Sequence, residues 1–213
     1  MILQKVIKGI SGIDAADARP LFEGGIKCNW WRKVHRITEE EKLARLTAKN
    51  LQWHQNRYDD PDPDEHGESF GKHTPFISTT AGTVERDFAM TRNVVHPAWQ
   101  IAMEFATDGW RSNGCLFYCY VFILGRQSIA HNGFSEEVRD LNIYTSFSPF
   151  QPEGEVTAKI VIPPIQIEKF EYYDVGSVLS DIRRGRRPSP VTTDYNANYV
   201  RPETIANMRD LLV

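Results

Sequence analysis

The apolar positions in the first quarter of the chain follow two periods, which predict separate strands and helices. Weak alternation within residues 1–27 predicts a short strand or helix and a loop ahead of the core. Residues 30–35 combine aromatic and β-branched side chains and predict a strand. Residues 39–53 lack glycine and proline and follow a capping box of Thr38 and Glu41, so they predict a helix.

The middle of the chain alternates between polar loops and apolar segments. Prolines and clustered carboxylates within residues 59–65 predict an acidic loop that leads to a strand with the Ser-Thr-Thr run, residues 78–80. Apolar residues spaced three and four apart predict helices over 83–92 and 97–107. The nearly unbroken apolar run 115–124 predicts a strand buried on both faces.

The last third of the chain predicts two adjoining strands and a tail. Residues 156–162 and 165–173 have the pattern of strands, and the two prolines between them prevent a continuous ladder. Residues 176–213 predict an irregular basic tail that ends in a short helix from Pro202. These patterns together predict an α+β fold with a β-rich core.

Length and composition fit one compact soluble domain. The chain has 213 residues, of which 41% are hydrophobic and 25% charged, and no apolar run is long enough to cross a membrane. Its first residues lack the uninterrupted apolar stretch of a secretory signal. We expect an N-terminal extension (1–27), a main domain (28–175) and a C-terminal basic tail with a short helix (176–213).

The cysteine pattern predicts a reduced fold without a metal. Cys115 and Cys119 would lie about 13 Å apart along one strand face, which is too far for a disulfide between them. The sequence contains neither the paired Cys/His spacing of a zinc site nor a glycine-rich phosphate loop.

The charge is unevenly distributed. The net charge is −3, although four arginines close together near the C-terminus contribute positive charge: Arg183, Arg184, Arg186 and Arg187. The rest of the chain is therefore acidic, which makes it a poor candidate for broad nucleic-acid binding through phosphate neutralisation. The arginine cluster itself has two interpretations, a solvated loop or a contact with an anionic partner.

Two carboxylates stand one residue apart where a loop turns into an apolar strand. Residues i and i+2 of an extended segment share a face, so Glu153 and Glu155 would lie side by side at the strand entrance. Like charges this close raise each other's pKa unless a cation or polar group shares the site. Both could equally be solvated ends of a loop, in which Phe147 and Phe150 precede them.

Two upstream segments accompany this pair. Ser78, Thr79 and Thr80 put three hydroxyls in a row after a short apolar run. Arg32 follows two tryptophans, and Arg36 follows four residues later, just ahead of the capped helix. Each motif alone is weak, but their order along the chain is fairly specific.

Arginine, then Ser-Thr-Thr, then Glu-Gly-Glu resembles the signature of the ADP-ribosyltransferases, in the branch of the cholera toxin and heat-labile enterotoxin A subunits. The resemblance covers about residues 28–175, including the serine-proline turn before the carboxylates and the strand that ends at Ile162 and Pro163. It implies a split β-sheet core with flanking helices and NAD as substrate, without a metal.

The resemblance also implies roles for single residues. Glu155 would stabilise positive charge on the nicotinamide ribose as the glycosidic bond breaks, and Glu153 would orient or deprotonate the acceptor. Arg32 would bind a phosphate with its paired donors, Arg36 would lie near the adenosine, and Ser78 would hydrogen-bond the catalytic glutamate.

Thr79, Thr80 and His73 complete the expected NAD-binding set. Thr79 and Thr80 would brace the strand beside the nicotinamide, and His73 lies near the position of a pocket histidine in related toxins, where His66 competes with it. Each of these residues has an ordinary structural interpretation as well. Lys8 and Arg19 are alternative cations for the phosphates.

The preferred function at this point is a mono-ADP-ribosyltransferase that modifies arginine side chains of a target protein. As a toxin or effector it would act in the cytosol of a target cell, with an activating or immunity partner. A nucleic-acid acceptor and a catalytically silent binding module remain alternatives. Glycoside hydrolases need carboxylates roughly 5 to 10 Å apart across a sugar, which neighbours on one strand do not provide.

Overall fold

The computed structural model describes residues 2–34, 36–63, 67–86, 93–123, 135–137 and 154–202. The strands are β1 Ile2–Ser11, β2 Ile26–Lys27, β3 Phe76–Thr80, β4 Thr83–Arg86, β5 Asn93–His96, β6 Gly114–Ile123, β7 Glu136–Glu137, β8 Glu155–Lys159, β9 Val161–Ile162, β10 Ile167–Tyr173 and β11 Thr192–Tyr195. The α-helices are α1 Ala15–Ala18, α2 Leu21–Gly24, α3 Asn29–Val34, α4 Glu39–Arg45, α5 Ala48–Asn56, α6 Ala98–Ala106 and α7 Val175–Arg183. Two 3₁₀ turns occupy Phe70–Lys72 and Pro164–Gln166.

Seven strands form one antiparallel sheet in the order β11-β10-β6-β1-β3-β8-β7. β1 pairs with β6 along its whole length, from Ile2 opposite Ile123 to Ser11 opposite Gly114. Among the described residues its pairing with β3 is confined to one position, Ile7 opposite Thr80. The sheet therefore opens between its two central strands. The predicted α+β class with a split sheet is confirmed.

Within residues 1–27, Ile2–Ser11 lies inside the sheet rather than ahead of it, because β1 is the central strand. Their weak alternation is explained by burial on both faces, since Val6 packs in the main core while Ile7 packs beside α6. The expectation of an irregular tail is wrong for α7 and β11, and β11 extends the sheet by pairing with β10. The helix expected from Pro202 falls on residues after 202, which lie outside the described part of the chain.

Several predicted elements are confirmed. The helix at 97–107 is α6, and the doubly buried strand at 115–124 is β6, which ends at Ile123 in the described part of the chain. The strands at 156–162 and 165–173 correspond to β8, β9 and β10, with a 3₁₀ turn at the two prolines. The Thr38–Glu41 capping box begins α4 as expected.

Three local predictions are wrong. Residues 30–35 were expected to form a strand, but α3 covers most of them because Trp30 is buried and its ring packs under Arg45; tertiary packing overrides β propensity. The helix expected over 83–92 is replaced at its start by β4, which pairs with β5. The single helix expected over 39–53 is two helices, because Thr47 caps α5 through the Asn50 amide.

α6 lies directly against β1 and β6. A side chain on Gly9 of β1 would come within 2.2 Å of the Ala102 carbonyl, and one on Gly114 of β6 within 1.9 Å of the Ala106 carbonyl. Glycine at these two positions thus permits a helix-to-sheet contact that any larger residue would prevent. This close packing brings Phe105 of α6 to the opening between β1 and β3, where it lines the cavities described below.

Candidate functional site

The register of β3 and β8 brings the serine and glutamate motifs together. Ser78 lies opposite Thr157, and Thr80 lies opposite Glu155. Directly opposed residues share a face of an antiparallel pair, and alternate residues return to that face. Two segments separated by some 75 residues thus place four polar side chains on one patch of sheet.

Glu155 is a buried carboxylate with several donors around it. It is 5% exposed. Thr157 Oγ1 donates to its Oε1 over 3.0 Å, and His54 Nε2 lies 3.6 Å from the same oxygen. Burial by itself raises the pKa of Glu155, but hydrogen bonds from His54, Ser78 and Thr157 outweigh that effect and lower the pKa below its usual value. The carboxylate is therefore held ionised in a largely dry environment.

His54 lies beside this carboxylate and contacts two hydroxyls, one on β3 and one just before that strand. It lies on α5, with Nε2 2.8 Å from Ser78 Oγ and Nδ1 2.9 Å from Thr74 Oγ1. Thr74 Oγ1 accepts from the Phe76 amide, so its hydroxyl proton is free to point at His54. An ionised carboxylate can only accept. The consistent arrangement is therefore Thr74 donating to Nδ1 and Ser78 donating to Glu155, with Nε2–H directed at Ser78 and, at the longer distance of 3.6 Å, at Glu155.

Lys8 supplies a cation on the other side of the sheet opening. It is on β1 and lines two cavities together with Ser78 and Glu155. Burial lowers the pKa of Lys8 to about 8, and the opposite charge of Glu155 limits the fall. At neutral pH most molecules therefore keep a charged ammonium facing the cleft, and that charge titrates within a few pH units of neutrality.

The larger of these cavities is a cleft of about 1030 Å³. Its lining includes Lys8, Arg32, His54, Ser78 and Glu155. This volume is at the upper end of the usual range for small-molecule sites and suits a ligand as large as a dinucleotide. The cleft brings the buried Glu155, several cationic side chains and a histidine into one space.

The predicted arginines lie at different places. Arg32 is exposed on α3 and lines the cleft, but on a helix rather than on the expected strand. Arg36 is exposed and does not belong to the lining formed by the described residues. Arg19 is exposed and forms an ion pair with Asp194 on β11, 2.7 Å between Nε and Oδ2. Arg32, Lys8 and Lys27 are thus the cations in the described lining of the cleft, and Lys27 lies over the Trp31 ring.

The predicted histidine and hydroxyls are partly engaged elsewhere. His73 is buried, with Nε2 2.5 Å from Glu68 Oε2 and 3.0 Å from Lys33 Nζ, and it does not line the cleft formed by the described residues. Thr79 donates to the Val156 carbonyl, and Thr80 accepts from the Gly82 amide. Both threonines line the smaller cavity beside Lys8.

Some site predictions fall outside the described residues. Glu153, Phe147, Phe150 and His66 are among these, so the second carboxylate and its loop stay predictions from the motif. Gly154, which precedes Glu155, has φ of 55°, a left-handed conformation that favours glycine. β8 is therefore entered through a glycine in a left-handed conformation.

His54 and Thr157 are site residues that the sequence interpretation missed. The buried residues of α5 are Leu51, His54 and Gln55, spaced three and four apart, which marks one face of a helix. That period was present in the sequence and places His54 on the inner side. Lys8 was already an alternative cation for the phosphates, and Val6 and Ile10, two residues away on either side, put it on an apolar face of β1.

No group of three or more His, Cys, Asp or Glu side chains suited to a metal ion occurs within the part of the chain that the structure describes. In the same part, none of the helices has the length and apolar character needed to cross a membrane.

Three solved structures have related folds. EcPltA is 15% identical over 93% of this chain and 88% of its own, with a TM-score of 0.48. A guanine-specific ADP-ribosyltransferase is 10% identical over 94% and 81%, with a TM-score of 0.43. A mutant of heat-labile enterotoxin is 14% identical over 92% and 75%, with a TM-score of 0.44. At these identities the likeness concerns the overall fold alone. No family model and no curated protein sequence matches the chain.

Proposed function

We propose that this chain is a mono-ADP-ribosyltransferase that cleaves NAD and transfers ADP-ribose to arginine side chains of a target protein. The observation that carries the proposal is the buried, ionised Glu155 facing a dinucleotide-sized cleft together with Lys8. The ordered arginine, Ser-Thr-Thr and Glu-Gly-Glu motifs point to the same chemistry.

The reaction needs an anion close to the ribose carbon. As the bond between that carbon and the nicotinamide nitrogen breaks, its electron pair leaves with nicotinamide and positive charge develops on the sugar. A fixed, poorly solvated carboxylate stabilises such charge far better than water does. Glu155 fits this role because Ser78, Thr157 and His54 hold it in one orientation.

The remaining roles follow from charge and position. Lys8 and Arg32 line the cleft and would neutralise the two phosphates. Glu153 would take the proton that a guanidinium nitrogen releases when it bonds to the ribose carbon. We keep Thr79, Thr80, Arg36 and His73 as proposed members of the NAD-binding set, although His73 and Arg36 would need a wider cleft than the described residues form.

The acceptor and the setting follow from the resemblance stated above. The Glu-x-Glu form favours a guanidinium acceptor. A toxin or effector of this kind would work in the cytosol of a target cell and would be controlled by an activating or immunity partner.

A nucleic-acid acceptor is the second candidate, favoured by the exposed arginine cluster that follows α7. Part of that charge is already used within the molecule. Arg186 pairs with Asp181 at 2.7 Å, and Arg187 lies 4.9 Å above the Trp99 ring. Arg183 and Arg184 are exposed as well. The cluster is thus a weaker argument than four free arginines would be.

Incubation with labelled NAD tests both candidates. The purified chain is offered agmatine, a mixed protein lysate, RNA and DNA in separate reactions, with nicotinamide release measured in parallel. We expect labelled agmatine and protein, and we expect Glu155→Gln to lower both NAD cleavage and transfer by about 10² or more. Labelling of nucleic acid without agmatine would favour the second candidate, and NAD cleavage that survives Glu155→Gln undiminished would overturn the proposal.

A further inference from the structure

Gln55 lies beside the site but takes no part in the roles described so far. It follows His54 on α5, it is 4% exposed, and it lines the same cleft as Glu155 and Lys8. Its amide nitrogen Nε2 is buried and has no hydrogen-bond partner among the residues that the structure describes. Nearly all buried polar groups in folded proteins have a partner, so an unpaired donor of this kind indicates either strain or a function.

The neighbouring polar side chains of the cleft lining do not pair with the Gln55 amide nitrogen. Asn29 donates to the Tyr58 hydroxyl over 3.1 Å and to the Gly71 carbonyl over 2.7 Å, so both of these cleft residues already have partners. His54 is engaged by Thr74 and Ser78. Among the buried side-chain nitrogen and oxygen atoms of the described cleft lining, Gln55 Nε2 is the one left without a hydrogen-bond partner.

Folding alone does not require glutamine at this position. Methionine has a similar length, volume and helix propensity and would place no unpaired donor in the wall. The buried donor thus makes the empty protein less stable than an apolar residue would. A ligand that supplies an acceptor would recover this loss when it binds.

We propose that Gln55 is a substrate-binding residue whose amide donates to an acceptor oxygen or ring nitrogen of the bound dinucleotide. This inference rests on the proposed function, because it takes NAD as the ligand of the cleft. A half-turn of the terminal amide exchanges its nitrogen and oxygen, so the side chain can present its donor to the cleft without leaving its rotamer. Gln55 thereby adds recognition of an acceptor to a site otherwise built from charges.

The test uses the full chain with Gln55→Met, and with Gln52→Met as the matched control. Gln52 is the same residue type on the same helix but is exposed. Calorimetry measures the Kd for NAD, steady-state NAD hydrolysis separates KM from kcat, and thermal unfolding is followed without ligand. We expect Gln55→Met to weaken NAD binding about 5- to 100-fold, to raise KM with kcat changed less than threefold, and to leave the Tm of the ligand-free protein equal or higher. Gln52→Met should change none of these.

Competition locates the contact. Nicotinamide and ADP-ribose are used as separate inhibitors, and weaker inhibition of Gln55→Met by either fragment supports the proposal and identifies the half of NAD that Gln55 touches. If Gln55→Met fails to fold, Gln55→Glu keeps the shape and removes the donor, and it should weaken NAD binding at least as much.

Three results would overturn the inference. A wild-type chain that binds NAD and a Gln55→Met variant that binds it equally well would refute it while leaving the proposed function intact. A lower Tm in Gln55→Met with unchanged NAD affinity would assign Gln55 a structural role. A wild-type chain that binds no NAD would overturn both proposals.

Discussion

Lys8 gives the sharpest test of how the cleft holds an anionic ligand. The sequence favoured Arg32 as the phosphate-binding cation, but Lys8 is the cation on the central strand β1, where it lines both cavities beside Glu155. Replacing it by methionine removes the ammonium and keeps most of the stem. A charge-assisted hydrogen bond contributes about 1.5 to 3 kcal/mol, so Lys8→Met should weaken NAD binding roughly 10- to 150-fold.

The pKa of Lys8 adds a pH dependence with a definite sign. In the free protein burial holds this pKa at about 8. A bound diphosphate favours the charged form and raises the pKa, so above pH 8 binding must take up a proton, and the Kd should rise up to tenfold per pH unit. Stability has the opposite trend. The pKa of Lys8 lies below its ordinary value of 10.5, so between about pH 8 and pH 10.5 the unfolded chain binds more protons than the folded chain. As the pH rises through this range, the free energy of unfolding should therefore increase relative to that of Lys8→Met.

Calorimetric titration of NAD from pH 7 to pH 10 measures these effects. Lys8→Arg keeps its charge throughout this range and should remove the pH dependence. Lys5→Met is the matched control, since Lys5 is an exposed lysine on the same strand. Arg32→Lys, which loses the paired donors, should weaken binding by about 1.5 to 3 kcal/mol if Arg32 also holds a phosphate. Unchanged affinity in Lys8→Met at every pH would refute the assignment of Lys8.

Three further predictions concern the second carboxylate, the histidine and the helix contact. Glu153→Gln should abolish transfer while NAD hydrolysis stays substantial, and equal loss of both activities would refute the division between the two glutamates. His54→Phe removes a donor beside Glu155, so the pKa of Glu155 should rise and NAD cleavage should fall roughly tenfold. The acidic limb of the pH profile of NAD cleavage should move to higher pH. An unmoved limb would contradict the proposed contacts of His54 with Ser78 and Glu155. Gly114→Ala should destabilise the chain by about 1 to 3 kcal/mol or more in urea unfolding, because its Cβ would lie 1.9 Å from the Ala106 carbonyl, while Gly24→Ala, with open space around it, should cost nothing.

The motif pair at the centre of the site could be found from sequence because its logic is local. Alternation in an extended strand put Ser78 and Thr80 on one face, and the same rule put Glu155 and Thr157 on one face. Pairing of the two strands then needs one register, and burial on both sides fixes it. Long apolar segments such as β6 were equally clear, since their composition leaves few alternatives.

The failures came where tertiary contacts decide between helix and strand. Residues 30–35 have strand-like composition, yet packing of Trp30 under Arg45 and of Trp31 between Lys27 and Lys42 favours a helix. The segment that begins at 83 has helical spacing, but the backbone of Thr83–Arg86 pairs with β5 as a strand. Neither partner can be identified from the local sequence.

His54 and Lys8 illustrate the same limit within the site. The local sequence indicates that both residues face inward, by helical period for His54 and by the apolar residues on the same strand face for Lys8. The strand order, which places β1 beside β3, cannot be read from the sequence. The packing of α5 against Thr74 and Ser78 cannot be read from it either. The motif therefore named the glutamate and the serine, but not the groups that hold the glutamate ionised.

The identity of the strand cation has a chemical consequence. An arginine would grip phosphate oxygens with a planar fork, whereas the ammonium of Lys8 is a compact charge on a flexible stem with three rotatable donors. Charge rather than fixed geometry would then position the diphosphate at β1. Directional selectivity must come from groups with defined donor directions, and in the described cleft these include the guanidinium of Arg32 and the amide of Gln55. Recognition of NAD would thus be divided, with affinity supplied mainly from the sheet and orientation from the helices α3 and α5.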